Sequence, residues 1–136
     1  MNKHNTKKLM KRFPGFFCVT FDPMQSNMCF GFQCHGGWFN LIWELCERLE
    51  VLTGPDFEIT TVKEKYGGLR FYPKKYHEEA IKLISDYEVK SEKICEECGQ
   101  PSELRRYKCG FIDWVYNMCS RCWTNFLKKK ESEESN

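Results

Sequence analysis

Between Trp38 and Leu52 (WFNLIWELCERLEVL) the apolar residues fall at 38, 41, 42, 45, 49 and 52. That is the spacing of one helical face, and Glu44, Glu47, Arg48 and Glu50 lie mostly opposite it. Gly54 and Pro55 stop the pattern. Trp43 sits off the stripe, so it either widens the buried face or stays partly exposed. The period then changes from 3.6 to 2. Phe57 to Lys65 (FEITTVKEK) is β-branched and predicts a strand. Tyr66-Gly67-Gly68 supplies a turn in which both glycines take positive φ, and Leu69 to Tyr72 returns as a second strand ended by Pro73. On the return strand Leu69 and Phe71 share one face, and Arg70 and Tyr72 the other.

The pattern is weaker on either side. Residues 5–13 predict a short basic helix ended by Pro14 and Gly15. Residues 14–37 are loop-rich, with Pro23, Gly31, Gly36 and Gly37, yet they hold Phe16, Phe17, Phe21, Phe30 and Phe32. So aromatic a segment must cover a sheet or helix face. After Pro73, Tyr76, Ala80, Ile81, Ile84 and Tyr87 line one side of a helix reaching about Ser91. Leu104 to Lys108 and Ile112 to Met118 predict a hairpin that turns near Gly110, and Trp123, Phe126 and Leu127 lead into a further helix. The fold class is α+β. A small helix–hairpin–helix domain spans 1–92, with its β-hairpin at 57–72. An appended C-terminal module spans 93–128, and 129–136 reads as a disordered tail.

A chain of 136 residues with 41% apolar and 15% aromatic residues can bury one core. Its net charge of +2 gives no field strong enough for tight non-specific DNA binding, nor the acidity of a DNA mimic. Lys3, Lys7, Lys8, Lys11 and Arg12 occur in the first dozen residues with no acid among them; this reads as a solvated, frayed end. No apolar run approaches the roughly 20 residues of a membrane span, and no secretory leader is visible. The expected compartment is a cytoplasm, with no membrane partner. There the nine cysteines, an odd number, are thiols or metal ligands rather than a disulfide framework.

Four of them have metal-site spacing. CEEC (Cys95, Cys98) and CSRC (Cys119, Cys122) are separated by twenty residues. Two residues between cysteines let a tight turn aim both sulfurs at one ion, and two such knuckles complete a tetrahedral thiolate shell. Gly99 stands just after the first pair. The expectation is one structural zinc in a zinc-ribbon or treble-clef-like module. A redox pair or an iron site is the less favoured use of the same thiolates. Cys109, between the pairs, reads as a small buried hydrophobe. Cys18, Cys29, Cys34 and His35 are candidates for a second site, although their spacing fits no standard pattern.

FPGFF (13–17), CFGFQCHGGWFNLIWELC (29–46), VKEKYGGLRFY (62–72) and the paired CxxC together resemble a family of small proteins widespread in bacteriophages and prophages. In that family a GWF-D-LI-LC helix precedes a VKEKFGGLRFY hairpin, and a cysteine-knuckle tail often follows. Here Asn40 replaces the usual acidic residue after GWF. The resemblance implies a viral accessory protein acting inside a bacterium; it supplies no mechanism.

Nothing in the chain assembles a catalytic set. His4, His77 and His35 are scattered, and no nucleophile elbow, phosphate loop or paired catalytic carboxylate stands out. The candidate working surface is the hairpin. Lys63, Lys65, Arg70 and Tyr72, helped by Tyr66 and Trp38, combine cations and aromatic rings in a way that suits phosphates and stacked bases. The expected function is a non-catalytic phage protein that counters a host defence by binding an anionic, nucleotide-like molecule or a host protein. The alternative is a zinc-ribbon protein acting on nucleic acid in phage transcription or replication.

Overall fold

The computed structural model describes residues 1–17, 24 and 26–134. In chain order these form α1 (Lys3–Arg12), short 3-10 turns at Asn27–Phe30 and Gly36–Trp38, α2 (Phe39–Thr53), β1 (Ile59–Lys65), β2 (Gly68–Pro73), α3 (Glu78–Ser91), β3 (Glu103–Cys109), β4 (Ile112–Met118) and α4 (Ser120–Glu134). The strands make two separate antiparallel pairs, β1–β2 and β3–β4. The α+β class read from the sequence is the one observed. α4 runs on through 129–134, the stretch expected to be a disordered tail.

Several helix ends have a local cause. The Asn2 side chain accepts from the Asn5 N–H at the head of α1, and Lys11 and Arg12 sit in its last turn, where cations suit the helix dipole. α2 buries Leu41, Ile42, Leu45, Cys46 and Leu49, and Gly54 closes it at φ 94°. Trp43 is half-buried, its ring 5.4 Å from Phe13 and 5.8 Å from Phe39. At the head of α3 the His77 Nδ1 accepts from the Ala80 N–H. α3 buries Ala80, Ile84, Tyr87 and Ser91. Tyr76, expected on that stripe, precedes the helix and is exposed, and Ile81 lies at its rim.

The main core joins α1, α2, α3 and the first hairpin through Leu9, Phe13, Trp38, Leu45, Phe71 and Tyr87. The aromatic segment packs as expected. Phe16, Phe17 and Phe32 are buried, with Phe17 edge-on to Phe32 at 4.9 Å. The Gln33 N–H donates to the Val62 carbonyl and the Glu64 N–H to the Gln33 carbonyl, so this segment also covers the free edge of β1. Phe30 is exposed, and Phe21 lies outside the described residues.

In the first hairpin Lys65 faces Gly68, Lys63 faces Arg70 and Thr61 faces Tyr72. The turn is therefore Tyr66-Gly67, with φ of 55° and 81°. Positive φ at both central residues is what a two-residue hairpin favours. Gly68 does not share the positive φ expected of it. It is a buried strand residue, and a Cβ there would lie 3.0 Å from Arg70 Nη1. Two successive glycines in a sequence do not reveal which serves the turn and which serves packing.

The C-terminal module has a second, smaller core of Cys95, Met118 and Cys119, with Tyr116, Trp123 and Phe126 packed beside it. It is seated on the first domain through several contacts. The Trp38 indole N–H donates to the Ile94 carbonyl at 2.8 Å. The Gly37 N–H donates to the Glu96 carbonyl at 2.7 Å, and any Cβ at Gly37 would run into the Cys95 and Glu96 carbonyls. Asn117, fully buried on β4, donates its amide to the Gly67 carbonyl at 2.9 Å and to the Ser91 carbonyl at 2.6 Å. A Cβ at Gly67 would lie 2.6 Å from Leu104 Cδ2. The Tyr66-Gly67 turn is thus a joint between the two halves as well as a loop.

Candidate functional site

The loop between α3 and β3 carries Cys95 and Cys98; the junction of β4 with α4 carries Cys119 and Cys122. Their sulfurs all lie within 4.8 Å of one another, and Cys98 and Cys119 Sγ are 3.6 Å apart. Ligand bonds of about 2.3 Å in a tetrahedral thiolate site imply such separations. The first knuckle is shaped by its backbone. The Gly99 N–H donates to the Cys95 carbonyl at 2.8 Å with Gly99 at φ 82°, and the Cys95 N–H donates to Gln100 at 2.7 Å. In the second, the Trp123 N–H returns to the Cys119 carbonyl at 2.9 Å. Arg121 hydrogen-bonds the Cys98 sulfur, which raises its own pKa and places a cation beside the thiolates. Cys119 and Cys122 are shifted in opposite directions. A backbone hydrogen bond at Cys122 pulls Cys119 down to about 7, while burial pushes Cys122 up to about 12. Four sulfurs this close cannot all ionise unaided, and a divalent cation resolves the conflict. The cluster is suited to hold a metal ion, and four cysteines leave no open coordination position.

The remaining cysteines divide differently from the expectation. Cys109 is exposed at the tip of the second hairpin, not buried. Its strand projects past the core, which sequence spacing does not reveal. Cys34 and Cys46 are the buried thiols, and burial pushes Cys34 up to about 12. Of the suggested second site, Cys18 lies outside the described residues. His35 contacts Glu97 at 3.5 Å and donates its N–H to Glu96. Among the described residues, Cys29, Cys34 and His35 form no convergent metal-ligand group.

The hairpin residues are brought together in part. Lys63 and Arg70 face each other across the strands, with Tyr72 beside them. The Lys63 Nζ lies 5.9 Å from the Tyr72 ring, and the Lys65 Nζ lies 5.6 Å from the Tyr66 ring. Tyr66 is 70% exposed and Tyr72 41%. Arg70 Nη1 turns back onto the Leu69 carbonyl at 3.0 Å. Its charge also reaches Glu88, whose carboxyl burial raises and Arg70 pulls back down. Among the described residues no carboxylate pairs with Lys63, Lys65 or Arg70 within 4.0 Å. Trp38 does not belong to this face: it is fully buried in the main core and anchors the metal module instead.

Sequence reasoning passed over a groove of about 590 Å³ lined by Lys8, Lys11, Arg12, Phe39, Asn40 and Trp43. Its signal was present twice, in the acid-free basic helix and in the off-stripe Trp43. Comparison with protein-family models, with curated proteins and with solved structures finds no match.

Proposed function

We propose that this is a non-catalytic binding protein whose fold is completed by one structural zinc on Cys95, Cys98, Cys119 and Cys122. The proposal takes its working surface to be the Lys63, Lys65, Tyr66, Arg70, Tyr72 face. The observation that carries it is the set of cations and exposed phenols on that face, none in an ion pair, on a hairpin braced from behind by Asn117. Rigid elements holding unpaired cations beside aromatic rings suit a phosphate or a stacked base. The resemblance to phage proteins supports the rest of the reading: the chain counters a host defence by occupying an anionic, nucleotide-like signal or a host protein.

The test is a combined Lys63→Ala, Lys65→Ala, Arg70→Ala variant, compared with the parent for zinc content, melting temperature and protection of phage in a defended host. The expected result is lost protection with fold and zinc retained. Full protection by the variant refutes the surface assignment, and less than half an equivalent of zinc in the parent refutes the metal.

A second reading has its own observation. The β3–β4 hairpin projects Phe111 and Trp114, both exposed, and carries Arg106, paired with Asp113, and Lys108 on the strand face opposite Trp114. Such a finger suits single-stranded nucleic acid, whose binding weakens steeply with salt as counterions are released. A steep salt dependence of binding to a DNA or RNA oligonucleotide selects this reading; a shallow one selects the first.

A further inference from the structure

We infer that the groove between α1 and α2 is a binding site for a nucleoside phosphate. This inference rests on the reading of the chain as a binder of anionic ligands, but it places the ligand away from the first hairpin. Lys8, Lys11 and Arg12 are spaced i, i+3 and i+4 on α1 and so share a face. Opposite them the first turns of α2 present Phe39, Asn40 and Trp43. The Phe39 and Trp43 rings are 5.8 Å apart and only half-buried, so the groove has an aromatic wall open to solvent. Arg12 is already committed, held by Glu50 through two hydrogen bonds of 3.0 Å. Arg12 therefore serves the α1–α2 contact, and Glu47 also acts on its charge. Lys8 and Lys11 pair with no carboxylate among the described residues. The first turn of α2 also contains no acidic residue, and no side chain caps it.

The chemistry of these walls is complementary to one ligand type. A planar base stacks on the Trp43 indole, with the Asn40 amide able to donate to and accept from its edge. The phosphate lies toward Lys8 and Lys11, which carry the charge on this side of the groove. Neither half suffices alone: inorganic phosphate lacks the stacking surface, and a neutral nucleoside lacks the charge. The groove is an open surface depression of about 590 Å³, room for a small organic ligand to lie along it. Trp43 packs one side of its ring against Phe13 of the core and leaves the rest of its half-buried surface to the groove.

The experiment is a titration of the full-length, zinc-loaded protein with a fluorescent guanosine monophosphate, followed by anisotropy. Unlabelled nucleotide, nucleoside and inorganic phosphate serve as competitors. Saturable binding is expected, displaced by unlabelled nucleotide far better than by nucleoside or phosphate. A Lys8→Ala, Lys11→Ala double variant, with both positions exposed, is expected to weaken binding roughly tenfold or more. Trp43→Phe, which keeps the contact with Phe13, is expected to weaken it less. No saturable binding overturns the inference, as does unchanged affinity in the lysine variant or equal displacement by phosphate alone. The combined Lys63, Lys65, Arg70 variant separates the two sites. If that variant loses the nucleotide and the Lys8, Lys11 variant keeps it, the groove is refuted while the hairpin reading stands. If the reverse holds, the hairpin reading fails as a nucleotide site and the groove stands.

Discussion

The two halves of the molecule reach stability by different means. Residues 1–91 close an aromatic core in which Phe13, Phe16, Trp38, Phe71 and Tyr87 are almost wholly out of water. Beyond Ile94 the buried apolar set shrinks to Cys95, Met118 and Cys119, and α4 has no fully buried residue at all. A two-stranded hairpin and one helix with so small a core do not hold together by burial alone. Four converging cysteines are suited to supply the missing cross-link by holding a metal ion. Hydrophobic burial is diffuse, so the first half loses stability in increments as residues change. A metal shell is concentrated, so the second half depends on four positions.

The largest expected effect therefore comes from the metal. Stripping it with a chelator, or replacing Cys119 by Ser, should unfold residues 93–134, because structural zinc contributes on the order of 10 kcal/mol in small modules. Amide exchange should rise throughout β3, β4 and α4. Exchange at Gly37 should also rise, because its N–H donates to Glu96 of the first knuckle. Residues 1–91 should stay folded. If β3 and β4 keep their protection without metal, the contrast drawn between the halves is wrong.

The joint comes next. Gly67→Ala combines a positive φ with a Cβ 2.6 Å from Leu104. The backbone cost alone is about 1–2 kcal/mol. Asn117→Ala leaves the Gly67 and Ser91 carbonyls without their donor, at about 1–3 kcal/mol. A double-mutant cycle should show strong non-additivity, since both changes open the same contact. Additive losses in urea melts would mean that the turn and the metal module do not share a joint.

The smallest effect tests the first half by pH. Burial raises the Glu88 carboxyl pKa, while the Phe71 N–H donates to it at 3.1 Å and Arg70 opposes the rise. The folded state therefore holds this proton more tightly than the unfolded chain. Its contribution is most favourable below the ordinary carboxylate range and declines as pH rises through that range to the raised folded value. Glu88→Gln keeps an acceptor for Phe71 and removes the titration. The variant should gain in melting temperature relative to the parent as pH goes from about 4 to 7. A relative loss over that interval would show that the Arg70 attraction outweighs burial.

What could be read from the sequence follows the range of the interactions involved. α2, the first hairpin and the four-cysteine cluster were legible because periodicity, turn residues and CxxC spacing are local or nearly so. Trp38 was misassigned to the ligand face because its position at the head of α2 gives no hint that its indole N–H reaches Ile94. Asn117 passed unnoticed for the same reason: its partners Gly67 and Ser91 are 50 and 26 residues away. Cys109 was placed inside because thiols usually are, but the second hairpin outruns its core. The groove of Lys8, Lys11, Phe39 and Trp43 went unseen because neither helix alone reports which face its neighbour leaves open.

The seat of the metal module on Gly37 and Gly67 has a hereditary consequence. Neither glycine belongs to the cysteine cluster, yet each is held to hydrogen by a neighbour from the module that the cluster would cross-link: the Cys95 and Glu96 carbonyls for Gly37, the Leu104 side chain for Gly67. In a lineage that lost its cysteines, Gly37 would be released to drift. Gly67 would be released only in part, because its turn still asks for positive φ. The two glycines and the four cysteines should therefore be inherited as a linked set, with position 37 the first to vary once the metal is gone.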